Sequence, residues 1–214
     1  MIIKKPLQYA IIIDKQGDYG VFDTMNDAIE SASVASKEYS QLSIQKKEEI
    51  LNSLNKEINS NLEEITKMLS EETGIGSYDD NLIKNTIALK KVLDIKILED
   101  ILSNNITDED FEVMVNGVVV TLEDSIVTII NHSISSILSG NAVVLSSHPK
   151  VKKTFAHTIK LINKAIENVK GPKNLIVTVK EPSIENTNIM LSNDTIIKFP
   201  MINYCSTEKI ALYV

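Results

Sequence analysis

From Val113 onward the chain alternates short β-branched runs with stretches of helical period, and this alternation constrains its fold more than any other feature. Residues 113–122 are strand-like, with Val118-Val119-Val120 as a continuous apolar run. Ile126, Ile129, Ile130, Ile134, Ile137 and Leu138 then recur at helical spacing and stop at Gly140. Residues 142–145 read as a short buried strand. Pro149 follows where the first turn of a helix tolerates it, ahead of Phe155, Ile159, Ile162, Ile166 and Val169 on one face. Gly171-Pro172 closes that helix, residues 175–179 form another strand, and Pro182 introduces a short helix reaching Leu191. Residues 195–199 and 210–214 complete the strand set. Strands separated by helices cannot pair as hairpins, so the pattern predicts a parallel sheet covered on both faces, a layered α/β fold.

The half before Val113 keeps the helical period almost throughout. Thr24 or Asn26 can cap a helix carrying Ala28, Ile29, Ala32 and Ala35. Ser43 caps a second, with Ile44, Ile50, Leu51, Leu54 and Ile58 on a recurring face. Asn59-Ser60-Asn61 is expected to break or kink this run, after which Leu62, Ile65, Met68 and Leu69 continue it to a stop at Gly74. Asp79 and Asp80 start a third helix that runs through Ile83, Ile87 and Leu98, their acidic groups suited to the positive end of its dipole. Ile11-Ile12-Ile13 reads as a buried strand. The expected organisation is a mostly helical layer over residues 1–112, packed on a βαβ-type unit over residues 113–214, the two forming one compact body.

Composition then narrows the function classes. A hydrophobic share of 43% with 24% charged residues is ordinary for a soluble globular protein, and no apolar run approaches the ~18 residues of a membrane span. The net charge is -7, and all basic residues are lysine. Without arginine's planar fork such a chain is a poor reader of nucleic acid, and Lys150, Lys152 and Lys153 make its only dense basic cluster. One cysteine permits no internal disulfide and fits a reducing cytoplasm, while three scattered histidines supply no metal-ligand spacing.

Several segments, in order, resemble the CoA-acylating aldehyde dehydrogenases of the ethanolamine- and propanediol-utilisation type. Val21-Phe22-Asp23-Thr24 is similar to the lead-in to that family's first helix, and Glu71-Glu72-Thr73-Gly74-Ile75-Gly76 to its Glu-Thr-Gly-Met-Gly. Ile129-Ile130-Asn131-His132-Ser133-Ile134-Ser135 and Gly140-Asn141-Ala142-Val143-Val144 match closely. Ser147-His148-Pro149 resembles a Pro-His-Pro turn, and Gly171-Pro172-Lys173-Asn174-Leu175 continues the likeness through Pro182. Tyr204-Cys205-Ser206-Thr207-Glu208-Lys209 looks like the segment that carries the family's nucleophile. The resemblance implies part of a Rossmann-like cofactor-binding domain, and NAD and CoA as cofactors. It also implies Cys205 as the catalytic thiol, and Ser147, His148 and Pro149 as a cofactor contact in which His148 touches an adenosine ribose. A cytoplasmic setting, in association with a bacterial microcompartment, follows from the same likeness.

Two internal departures carry the functional expectation. The family's Pro-Ser-Thr-Asn-Pro turn, whose asparagine helps hold the oxyanion, is replaced by Thr121-Leu122-Glu123-Asp124-Ser125-Ile126-Val127. That stretch has no asparagine and two carboxylates, and one lost oxyanion donor costs about 3–4 kcal/mol. The family's Thr-Gly-Gly phosphate turn is also missing, since Phe199-Pro200-Met201 leads directly to Ile202-Asn203-Tyr204-Cys205. Without glycine a backbone cannot approach a pyrophosphate closely. Neither Tyr204 nor Ser206 would activate the Cys205 thiol, and a lone cysteine on a strand is more often a small core residue. The expectation is a truncated, catalytically incomplete homologue acting as a noncatalytic subunit with itself or a full-length paralogue. The alternatives are an active enzyme completed by a partner chain, with Cys205 forming the thioester, and a small nucleotide-binding module. Glu123 and Asp124 are read as helix caps and Glu71-Glu72 as a solvated helix end. His132 is read as structural, and His157 belongs to no constellation.

Overall fold

The computed structural model describes residues 17–92, 114–122 and 125–199. The expected strands at 11–13 and 210–214, and Leu98, Glu123 and Asp124, lie outside the described residues. Within them the order is β1 (Val21–Phe22), α1 (Met25–Ser40), α2 (Ile44–Thr73), α3 (Tyr78–Val92), β2 (Val115–Val119), α4 (Ser125–Leu138), β3 (Ala142–Ser146), a 3-10 turn (Pro149–Val151), α5 (Lys152–Asn168), β4 (Ile176–Val179), α6 (Ile184–Ser192) and β5 (Ile196–Phe199). The five strands form one sheet in the order β1-β4-β3-β2-β5. Every pairing is parallel, as the alternating sequence requires.

Helices cover both faces, and β2 separates them residue by residue. Asn116 donates from Nδ2 to Ser136 Oγ of α4 at 2.9 Å. Its neighbour Gly117 points the other way, where an added Cβ would lie 2.3 Å from Ile196 and 3.5 Å from Met190 of α6. On the α6 side, α1 packs on β3 and β4; on the opposite side α4 and α5 pack on the sheet, backed by α3 and α2. Ser36 of α1 ties two strand starts together, donating to Met114 O at 2.8 Å and accepting from Ala142 N at 3.3 Å. β3 and β4 are buried along their whole length, which accounts for their unbroken apolar sequence.

Thr24 and Ser43 cap α1 and α2, accepting from the N–H groups of Asp27 and Lys46. α2 differs from expectation, because it runs unbroken through Asn59-Ser60-Asn61 to a left-handed Gly74. The asparagines do not compete with the helix. Asn59 and Asn61 turn their amides back to the carbonyls four residues earlier, Asn55 O at 2.9 Å and Glu57 O at 2.8 Å. Ile58, Leu62 and Ile65 meanwhile keep the buried stripe continuous.

α3 turns a partly polar face inward. Ile83 and Ile87 are exposed at 59% and 49%, whereas Asn85 and Leu89 are buried. The cause is a buried polar pair to α2, in which Asn85 Nδ2 donates to Thr66 Oγ1 at 3.0 Å. Ser77 starts α3, accepting from Asp80 N at 3.1 Å and donating to Asp80 Oδ2 at 2.7 Å. β1 was also not anticipated as a strand: Val21 and Phe22 pair with Thr178 and Val179, and two residues are too short to display an alternation.

Candidate functional site

Because all strands are parallel, their carboxyl ends share one edge of the sheet. From β2 the chain steps outward through β3 to β4, and β5 then returns to the other side of β2. The step order reverses between β2 and β5, the position where open α/β sheets form their ligand crevice. Val115 to Val118 pair in register with Ile196 to Phe199, so the carboxyl ends of the two strands lie side by side, and two departing segments follow them in the sequence. Those segments are the Thr121–Val127 stretch lacking asparagine and the stretch from Phe199 to Cys205 lacking glycine. Cys205 itself lies outside the described residues.

The next strand end holds the other sequence-selected residues together. Ser147 is buried immediately after β3, and His148 and Pro149 are exposed on the turn into α5. His148 acts as the cap of the 3-10 turn, its Nδ1 accepting from Lys150 N at 3.1 Å. With Nδ1 so engaged, the neutral imidazole carries its proton on Nε2, leaving an N–H donor on an exposed ring. Ser146 Oγ is 2.7 Å from Thr187 Oγ1, which joins the end of β3 to α6.

Glu72 is the residue that the sequence did not disclose. Expected as part of a solvated helix end, it instead binds the amino end of α5. Its Oε1 accepts from Lys153 N at 2.8 Å, and its Oε2 accepts from Thr154 N at 2.7 Å and from Thr154 Oγ1 at 2.6 Å. A carboxylate there satisfies helix N–H groups that have no intrahelical acceptor, and it complements the positive end of the dipole. Val151, at the N-cap position, supplies no side-chain bond of its own. Glu71 does behave as expected, exposed and 4.0 Å from Lys67. Across the turn, Lys152 Nζ bonds Glu181 Oε2 at 2.6 Å, joining the loops after β3 and β4.

The remaining candidates are dispersed. His132 lies on α4, where burial pushes its imidazole below the usual range. His157 Nε2 is 3.6 Å from Glu64 Oε1, linking α5 to α2 far from the turn. No metal-holding group of acidic, histidine or cysteine residues occurs among the described residues. A cleft of about 380 Å³, lined by Asp18, Tyr19, Glu167, Lys173 and Asn174, sits at the opposite, amino-terminal edge of the sheet.

A dinucleotide's pyrophosphate finds no fitting cradle among these residues. The amino ends of α1, α5 and α6 are capped by Thr24, Glu72 and Ser183. No described glycine stands in a turn that follows a strand.

Comparison with known proteins follows the same lines. No protein-family model matches the chain. An acetylating acetaldehyde dehydrogenase of Bilophila wadsworthia is 31% identical over 186 residues, covering 84% of this chain and 38% of that protein. A CoA-propanoylating propanal dehydrogenase of Salmonella typhimurium is 31% identical over 184 residues, covering 83% and 39%. The propionaldehyde dehydrogenase of Rhodopseudomonas palustris, solved with bound CoA and an acylated cysteine, superimposes with a TM-score of 0.74 at 31% identity, covering 86% of this chain and 44% of that one. A propionaldehyde dehydrogenase from a fucose-utilisation microcompartment of Clostridium phytofermentans gives 0.73 at 29% identity, covering 83% and 42%. The chain thus spans about two-fifths of the length of the curated relatives it matches, 38% and 39% for the two above. By sequence and by superposition the chain is a homologue of the CoA-acylating aldehyde dehydrogenases over that part of their length.

Proposed function

We propose that the 214-residue chain keeps a CoA-acylating aldehyde dehydrogenase scaffold without carrying out the oxidation unaided, and that it works as a noncatalytic component beside a full-length relative or a second copy. One observation carries the reading: β2 and β5 are adjacent and parallel, and the two segments that depart from the family pattern follow these two strands in the sequence. In the family pattern one would supply an oxyanion donor and the other a glycine turn for phosphate. Losing the donor alone lowers turnover by about 10²–10³-fold. Without the turn, NAD has no backbone cradle, and hydride has no positioned acceptor. The reading stands on internal residues, Thr121 to Val127 and Phe199 to Cys205, and takes nothing from where the chain begins or ends.

A second reading is favoured by the Cys205 motif: a partner chain completes the site, the Cys205 thiolate adds to the aldehyde carbon, NAD would serve as the two-electron oxidant that takes the hydride, and the resulting Cys205 thioester passes its acyl group to the CoA thiol, freeing Cys205. Under either reading the β3–α5 turn contacts the nucleoside end of a nucleotide through His148 Nε2–H. The relative from a microcompartment suggests the same setting for this chain.

Purified chain given acetaldehyde or propionaldehyde, CoA and NAD tests the first reading against the second. The expected result is no reduced cofactor that depends on Cys205. Co-purification with a full-length family member from the native host supports the subunit role, and recovery of monomer only counts against it.

A further inference from the structure

The carboxylate of Glu72, which the resemblance places in a Glu-Thr-Gly motif without giving it a role, has a bonding pattern that the proposed function does not account for. It arrives from α2, more than 80 residues earlier in the chain, and makes three bonds to the first turn of α5. The turn it grips follows directly on Ser147, His148 and Pro149. Val151 and Phe155 pack the turn into the core, and few other polar tethers hold it. Val151 offers no capping side chain, and the Lys152–Glu181 pair is exposed, with side-chain accessibilities of 39% and 70%. Exposed pairs of this kind contribute little. The His148–Lys150 bond is local, so it shapes the turn without fixing its place on the protein.

We infer that Glu72 is a positioning residue for the β3–α5 turn, holding the His148 donor in place and filling the α5 amino end with an internal anion that keeps ligand phosphate out. The inference deepens the proposed nucleoside contact and rests on that reading for its purpose, though not for its geometry. Backbone N–H groups at a helix start attract phosphate when they are free. Here the amides of Lys153 and Thr154 already have an acceptor. A ligand approaching this edge therefore meets an N–H donor at His148 beside helix amides whose acceptor is the part-buried carboxylate of Glu72. That arrangement selects for a sugar hydroxyl or base acceptor over a phosphoryl oxygen.

The test uses the intact 15N-labelled chain in wild-type, E72Q and E71A forms. Glutamine keeps the size of the side chain but turns one oxygen into a donor, which cannot bond the Thr154 N–H. In E72Q, the Lys153 and Thr154 amides should shift and exchange with solvent roughly tenfold faster, the size expected of a lost cap. Exchange at Lys150 should rise with them, and added inorganic phosphate should now move these amides. E71A should reproduce wild type in every respect. T154V, which removes only the hydroxyl contact, should give a smaller change at the same amides and keeps the question decidable if E72Q folds poorly. Wild-type amides that already respond to phosphate, or E72Q amides as protected as wild type, would overturn the inference. An adenosine titration that leaves wild-type His148 unmoved would instead remove the nucleoside reading, with the Glu72 result standing.

Discussion

Single side chains in this molecule divide between those whose sequence neighbours reveal them and those whose partners are distant. Tyr39 is fully buried, and its hydroxyl has no hydrogen-bond partner. Burial pushes its phenol well above the ordinary range, with the Lys47 ammonium 5.3 Å from the ring centre. A desolvated hydroxyl without an acceptor is a cost, so Y39F should unfold at equal or higher denaturant, by up to about 1 kcal/mol. His132 gives a pH signature. Its folded pKa lies below the unfolded value, so the unfolded chain takes up a proton first as the pH falls. The contribution is complete above about pH 6.5 and declines below it, with a slope of at most about 1.4 kcal/mol per pH unit. H132Q should flatten that decline in urea titrations between pH 7 and pH 5; an unchanged slope would assign it to other groups. The His148 turn was legible because its motif is contiguous. Glu72 was not, because its bonds to Lys153 and Thr154 join residues 81 and 82 positions apart.

Among the elements, β2 bears the most consequence, since it forms the reversal point of the sheet. Gly117 stands in its middle beneath Ile196 of β5, with room for no side chain. G117A should lift β5 from β2 and lower stability by about 1–3 kcal/mol, with the amide protection of β5 falling first. Uniform loss across all strands would contradict this. The alternating pattern after Val113 disclosed α4, β3, α5, β4, α6 and β5 nearly to the residue, because buried parallel strands and amphipathic helices leave strong periods. Thr24 and Ser43 likewise announced their helices through local caps. The expected break at Asn59-Ser60-Asn61 fails because the asparagines of α2 bond backward within the helix, and the Asn85–Thr66 pair that sets the inward face of α3 joins two helices and leaves no local signal.

At the scale of the whole molecule, one continuous core joins α1 and α2 to all five strands, so the helical half and the sheet half pack as neighbours. This body reproduces the relatives' fold over about two-fifths of their length, while its departures follow β2 and β5 in the sequence. Under the proposed function, scaffold and chemistry have separated. Stability resides in the retained core, which tolerates change at a solvent-facing edge, whereas acyl transfer needs every group of that edge in position. The most direct test is reduced-cofactor production by the purified chain with propionaldehyde, CoA and NAD, run beside C205S. Equal background from both proteins is predicted; turnover by wild type that C205S abolishes would contradict the account.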